Sequence, residues 1–167
     1  MSKKLLEGVK VIELANFIAA ATAGRFLADQ GATVIKVESA KGDPLRFTAP
    51  SEGRPLDWHE NTTWELENAN KLNISINTKS EEGREALFAL LEDADVLITN
   101  WRQGPLERQG LDYESLKKRF PKLVYAICTG YGEKGPDKDL PGFDFTAFFA
   151  RGGYKLADAV EDQIEAL

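Results

Sequence analysis

The sequence predicts a single α/β domain built on an open, mainly parallel, Rossmann-like sheet that is flanked by helices. Short runs rich in valine and isoleucine recur along the chain, and helical patterns separate most of them. Strands that alternate with helices pair in parallel, because each helix returns the chain along one face of the sheet. A chain of 167 residues, 43% of them hydrophobic, is long enough to bury a core.

The first two predicted strands and the helix between them form a β-α-β unit. Residues 8–14 and 32–38 predict the strands, and residues 17–30 predict the helix, with Phe26 on its apolar stripe and Gly31 ending it. Such units usually bind a nucleotide at the first turn, where glycines approach the phosphates. The turn in this chain contains no glycine. A phosphate ligand at this place would therefore need other groups to hold it.

The remaining elements complete the predicted sheet and cover it. They follow a long polar loop at residues 39–61. Loops of this length in a compact domain usually have a function. In chain order they are a strand at 72–77, a helix at 81–92, a strand at 94–99, a helix at 113–119, a strand at 122–129 and a closing helix at 154–167. Ligands of such sheets bind beyond the carboxyl ends of the strands, so the residues that follow each strand are the candidates for a site.

Composition excludes several classes of function. The net charge of −6 argues against a nucleic-acid partner, and no apolar run has membrane-spanning length. The single Cys128 permits no internal disulfide and is typical of the cytoplasm. With one cysteine and the single His59, which we interpret as a solvated loop residue, the chain lacks the ligands of a zinc site. We therefore expect no metal.

Several blocks, in this order, resemble the N-terminal part of class III coenzyme A transferases. The blocks are GVKVIELAN, GATVIKVES with GDP, LENANK, ADVLITNWR, GLDYESLKKRFPKLVYA, TGYGEKGP and PGFDFTAFFARGG. They resemble in particular the enzymes that move CoA between 2-hydroxy acids and acyl-CoAs. The resemblance runs from about Leu5 to Gly153. It implies that residues 1–153 are a Rossmann-like domain that binds CoA or an acyl-CoA thioester.

The resemblance also implies which residues bind CoA. They are Phe17, Ile18, Ala19, Ile76, Lys79, Asn100, Trp101 and Arg108. In this family, main-chain amides at the first turn take the place of the glycine loop, and a helix N-terminus can receive a phosphate without glycine. Lys79 and Arg108 would meet phosphates through charge-assisted hydrogen bonds, while Phe17 and Trp101 would pack against adenine or the pantetheine arm.

Each of these residues also has an ordinary structural interpretation. Lys79 and Arg108 are also explained as solvated surface charges, Phe17 and Trp101 as core aromatics, and Asn100 as a cap of the turn after its strand. The sequence alone leaves both interpretations open.

Two further details bear on the ligand. Some family members carry a lysine after the fifth strand where this chain has Pro141, so that phosphate contact is either absent or supplied by Lys134 or Lys138. A dinucleotide-binding oxidoreductase is the weakest alternative, because the glycine fingerprint is missing. Glu38, at the end of the second strand, is its one supporting feature, as a candidate ribose-binding acid.

The family's catalytic aspartate lies in a Gly-Asp motif downstream of the resemblance, and it opens the acyl-CoA by nucleophilic attack. Neither Asp158 nor Asp162 follows a glycine. We therefore expect no catalytic residue in this chain, which would be an excised or redesigned domain or a short form, with its last helix, residues 154–167, outside the family pattern. A scaffold without ligand affinity is the alternative.

The resemblance further implies that the parent enzyme is an interlocked homodimer. This chain by itself is expected to be a monomer or a weakly self-associating oligomer, through residues 141–149.

Overall fold

The computed structural model describes residues 4–57 and 61–153, and its centre is a five-stranded, all-parallel sheet. The strands are β1 (Lys10–Leu14), β2 (Thr33–Glu38), β3 (Leu72–Ser75), β4 (Val96–Thr99) and β5 (Val124–Ile127), in the order β3-β2-β1-β4-β5. The helices are α1 (Ala19–Asp29), α2 (Thr62–Asn68), α3 (Glu81–Glu92), α4 (Gln103–Gln109) and α5 (Tyr113–Arg119). The predicted parallel α/β sheet is confirmed. Its strand order reverses between β1 and β4, which is the usual place for a ligand.

The chain divides into two compact units. One comprises Met1–Trp101 and Pro105–Cys128 and holds the whole sheet. The other comprises Arg102–Gly104 and Thr129–Leu167, and its described part contains a π-helix at Asp144–Ala150. The predicted closing helix, Asp158, Asp162 and His59 lie outside the described residues. No helix in the described part of the chain is long and apolar enough to span a bilayer.

Local signals place most elements well. Helices α3 and α5 have the predicted bounds, because Ser80 and Asp112 cap them by accepting hydrogen bonds from Gly83 N and Ser115 N, each at 3.1 Å. Helices α2 and α4 lie in segments for which the sequence analysis predicted no element. Helix α4 contains Gly104 and Pro105, which are poor helix formers, although proline is tolerated in a first turn.

The predicted apolar stripe of α1 is wrong at Phe26, whose side chain is 65% exposed. The buried face consists of small residues, Ala20, Ala21, Gly24 and Ala28. Small side chains let the helix lie close to the sheet. At Gly24 an added Cβ would lie 2.0 Å from Oε2 of Glu13, so only glycine fits there without displacing that carboxylate.

Two apolar clusters cover the two faces of the sheet. The larger one joins Ile12 and Leu97 of the sheet to Leu87 of α3 and Leu116 of α5. The smaller one consists mainly of alanine and valine side chains beside α1. The sheet therefore holds the carboxyl ends of β1, β2 and β4 on a rigid, packed base.

Candidate functional site

A cavity of about 550 Å³, which we call the β2–β3 cavity, opens at the carboxyl ends of β2 and β3. Its walls are residues 37–41 in β2 and the loop after it, residues 76–79 after β3, and Trp101, Pro105 and Gln109. This volume is typical of a small-molecule site. Its position agrees with the rule that ligands of open α/β sheets bind beyond the carboxyl ends of the strands.

The β2–β3 cavity carries positive charge. Lys41 and Lys79 line it and are exposed, and neither forms an ion pair with another residue of the described part. The one carboxylate in its wall, Glu38, is neutralised by Arg46, whose Nε and Nη2 lie 2.9 Å from its two oxygens. Burial raises the pKa of Glu38, but hydrogen bonds from Arg46 and from the backbone of Asp43, together with the charges of Arg46 and Lys36, outweigh it and hold that pKa below its usual value. The cavity therefore suits an anionic ligand.

The turn that follows β1, residues 15–17 (the β1 turn), has an unusual backbone. Phe17 has φ +59, a left-handed conformation that bulky residues rarely adopt. The side chain of Asn100, after β4, holds the preceding residue. Its Oδ1 accepts from Asn16 N at 3.1 Å, and its Nδ2 donates to Asn16 O at 2.7 Å. Both polar groups of Asn100 are thus engaged by one peptide segment.

A cluster of buried charges holds the rest of the β1 turn. The Lys36 ammonium lies 3.0 Å from Oε1 of Glu13 and 3.0 Å from Oδ2 of Asp43, and all three side chains are fully buried. Lys36 also donates to Ala15 O at 2.7 Å. The other oxygen of Asp43 accepts from Phe17 N at 3.0 Å. Every residue of the turn is therefore bound by a polar side chain from another segment.

Lys71 completes this cluster. Its ammonium lies 2.8 Å from the second oxygen of Glu13, with a side chain that is 1% exposed. Burial lowers the pKa of Lys71, although the charge of Glu13 acts to raise it. Sequence reasoning missed the cluster. Its only signal was that Glu13 and Lys36 interrupt apolar strands, where a charge without a partner would be costly.

The start of α1 lies directly after the β1 turn. Ile18, at the N-cap position, is 51% exposed and makes no side-chain capping bond, and the first turn of the helix contains no acidic residue. Ala19 is also exposed, whereas Phe17 is half-buried. Helix N-termini with open N–H groups attract anions. This segment, like the β2–β3 cavity, is suited to negative charge.

The family model described as CoA-transferase family III matches residues 6–163, a range that continues past Gly153. The chain belongs to this family.

Relatives with stated activities agree with this family III membership. A cinnamoyl-CoA:phenyllactate CoA-transferase of Clostridium sporogenes is 69% identical over 149 residues, which are 89% of this chain and 36% of that protein. An (R)-2-hydroxy-4-methylpentanoate CoA-transferase of Clostridioides difficile is 51% identical over 149 residues, or 89% of this chain and 37% of that protein. The chain therefore spans little more than a third of the length of these relatives.

Two solved structures share the fold of this chain. A CAIB/BAIF family protein from Brucella suis is 40% identical with a TM-score of 0.81, over 91% of this chain and 40% of that one. A hypothetical protein from Mycobacterium tuberculosis is 34% identical with a TM-score of 0.76, over 86% of this chain and 38% of that one.

The CoA-binding residues implied by the family III resemblance fall into two groups. Ile76, Lys79 and Trp101 line the β2–β3 cavity. Phe17, Ile18 and Ala19 form the end of the β1 turn and the start of α1. Trp101 also packs against the larger core cluster, so its two interpretations are compatible.

The other two predicted residues neither line the β2–β3 cavity nor form part of the β1 turn. Asn100 binds Asn16 in the β1 turn, whereas the structural interpretation from the sequence had it cap the turn after its own strand, β4. Arg108 is exposed near the end of α4 and does not line the β2–β3 cavity, although its neighbour Gln109 does. Contact of Asn100 or Arg108 with a ligand stays a prediction.

The other predictions from the sequence concern a ribose-binding acid, a further phosphate contact and a metal site. Glu38 does not have a free carboxylate for a ribose, because Arg46 and Asn73 both donate to it. Lys134 and Lys138 are exposed and belong to the second compact unit. Across residues 4–57 and 61–153, no three His, Cys, Asp or Glu side chains gather where they would hold a metal ion.

Proposed function

We propose that this chain is the CoA-binding part of a transferase that moves CoA between 2-hydroxy acids and acyl-CoAs. The observation that carries the proposal is a lysine-lined cavity at the strand ends of a family III chain. The two relatives described above support the substrate class, since phenyllactate and 2-hydroxy-4-methylpentanoate are both 2-hydroxy acids.

The chemistry of CoA matches the two anion-suited places. Its nucleotide end carries a 3′-phosphate, for which Lys41 and Lys79 would supply charge-assisted hydrogen bonds in the β2–β3 cavity. Ile76 and Trp101 would offer apolar surface to adenine. The diphosphate and the pantetheine arm would pass the β1 turn and the open N–H groups of α1. Lys41 is an addition to the residues implied by the resemblance.

Transfer itself would need a nucleophilic carboxylate, which in this family forms an anhydride and then a thioester with the enzyme. We assign the role of nucleophile to no carboxylate within residues 4–57 and 61–153. The 167-residue chain alone is therefore expected to bind CoA thioesters without sustained turnover. A mass-based exchange assay between cinnamoyl-CoA and phenyllactate tests this, and steady product formation would contradict it.

The binding test is calorimetric titration of the chain with CoA and with CoA that lacks its 3′-phosphate. We expect saturable heat with CoA and an affinity about tenfold weaker without the phosphate, the loss of roughly one charge-assisted hydrogen bond. Lys79→Ala and Lys41→Ala should each remove most of this difference. Lys118→Ala, an exposed lysine of α5 outside the cavity wall, is the matched control. No binding of either ligand would favour the scaffold alternative.

We further propose that the whole protein acts as a homodimer in the cytoplasm. The exposed Phe145 and Phe148 of the second unit, each 57% accessible, support weak self-association of this chain. Light scattering that shows only monomer at all concentrations would contradict that association. The single cysteine, Cys128, is free and exposed, which fits a reducing compartment.

A further inference from the structure

The β1 turn is held in a conformation that its own residues disfavour. A left-handed backbone at a bulky residue such as Phe17 costs about 1–2 kcal/mol. Such strain persists only where surrounding groups determine the conformation, and it concentrates at functional sites. The groups that determine it here are Asn100, Lys36 and Asp43.

Asp43 and Lys36 form the centre of this arrangement. One oxygen of Asp43 accepts from Phe17 N and from Leu45 N, both at 3.0 Å, and the other faces the Lys36 ammonium. Lys36 in turn donates to Ala15 O. Asp43 therefore ties the β1 turn to the loop that ends in the short helix at Pro44–Phe47.

Stability alone is a poor reason for such a cluster. A buried ion pair is often no more stabilising than apolar residues of the same size, because both charges lose their hydration. What the cluster supplies is direction, since Lys36 donates to Ala15 O and Asp43 accepts from Phe17 N, so that both charged groups bind the backbone of the turn. Its value to the protein lies in geometry.

We propose that Lys36 and Asp43 are positioning residues for CoA binding. They fix the β1 turn so that the N–H groups at the start of α1 meet the diphosphate and pantetheine arm of the ligand. The turn lies at the end of β1, next to β4, where the strand order reverses. This inference rests on the proposed function, because it names residues that serve the same site without touching the ligand.

The test compares two ligands on matched variants. Asp43→Asn keeps the acceptor for Phe17 N and removes the charge that faces Lys36. We expect its affinity for CoA to fall about tenfold, because one charge-assisted hydrogen bond between the start of α1 and the ligand would be misplaced. Its affinity for adenosine 3′,5′-bisphosphate, which ends within the nucleotide cavity, should stay within twofold. Asp112→Asn, a buried carboxylate that caps α5, is the control and should change neither affinity.

A second variant approaches the turn from the other side. Asn100→Ala removes both bonds to Asn16 without changing a charge, so it should also weaken CoA more than the bisphosphate. In both variants, amide hydrogen exchange should speed up at residues 16 and 17 and stay unchanged in the core strand β4. A merely structural role would lower stability and leave the ratio of the two affinities unchanged.

The outcomes separate the two proposals. A wild-type chain that binds no CoA refutes the proposed function and, with it, the positioning role. A wild-type chain that binds CoA, together with folded Asp43→Asn and Asn100→Ala variants that bind it equally well, refutes the positioning role alone. An equal loss for both ligands also refutes it, because the effect would then not lie at the β1 turn.

Discussion

Replacement of Lys36 by methionine should be among the most damaging single changes in this chain. The ammonium has three partners, Glu13, Asp43 and Ala15 O, at 3.0, 3.0 and 2.7 Å. Without it Glu13 keeps an ion pair with Lys71 at 2.8 Å, but Asp43 is left as a fully buried carboxylate with no cation beside it. One uncompensated buried charge costs about 3–5 kcal/mol.

Urea unfolding followed by circular dichroism measures this loss. With a slope of about 2 kcal/mol per molar, the midpoint of Lys36→Met should fall by about 2 M. The double variant Lys36→Met/Asp43→Asn removes the orphaned charge as well. It should therefore be less destabilised than the sum of the single variants, by about 1–3 kcal/mol.

Two results would refute this reasoning. A loss below about 0.5 kcal/mol for Lys36→Met would mean that the buried charges are satisfied in another way, because that is the cost of an ordinary surface change. Strict additivity in the double-variant cycle would mean that Lys36 and Asp43 do not interact. Lys118→Met, at an exposed position of α5, is the matched control and should leave the midpoint unchanged.

Three further changes test single features of the fold, each by urea unfolding. Gly24→Ala should lower the unfolding free energy by about 1–3 kcal/mol through overpacking against Glu13, whereas helix propensity alone predicts a gain of up to about 1 kcal/mol. Phe26→Ala should lower the unfolding free energy by less than about 0.5 kcal/mol, because the ring is exposed. A loss of several kcal/mol would instead mean that Phe26 is buried, as the sequence predicted. The folded pKa of Glu38 lies below its ordinary 4.5, so its contribution is complete above that pH and is lost as pH falls through the folded pKa. Glu38→Gln should accordingly flatten the loss of stability below pH 4.5, and an unchanged acid profile would contradict this.

The elements that the sequence predicted with correct bounds are those with local signals. Helix α3 combines a capping Ser80 with acidic residues in its first turn, and α5 begins at the capping Asp112. Helix α2 also has a local signal that the sequence analysis did not use, because Asn61 caps it by accepting from Trp64 N at 3.0 Å and Glu65 lies in its first turn. Helix α4 has no acidic residue in its first turn and contains Gly104 and Pro105, so tertiary packing decides it. The π-helix at Asp144–Ala150 is likewise not signalled by any propensity.

Some residues of the candidate site were likewise predicted from the sequence, and others became evident only in the structure. Residue types and spacing, read through the family resemblance, predicted Ile76, Lys79 and Trp101, and the structure brings these three together in one cavity wall. They follow two different strands, so their meeting depends on the parallel order of the sheet. The sequence analysis did not predict Lys41, because the long loop has no helical or strand periodicity from which the direction of a side chain could be inferred.

By itself, the sequence determined the α/β class, the parallel pairing and the family, because these follow from hydrophobic periodicity and ordered motifs along the chain. Only the tertiary structure decided how the glycine-free β1 turn is held. That answer lies in contacts between Phe17 and Asp43, Asn16 and Asn100, and Ala15 and Lys36. These partners stand 21 to 84 residues apart, and burial in the folded chain is what makes each polar group require the other.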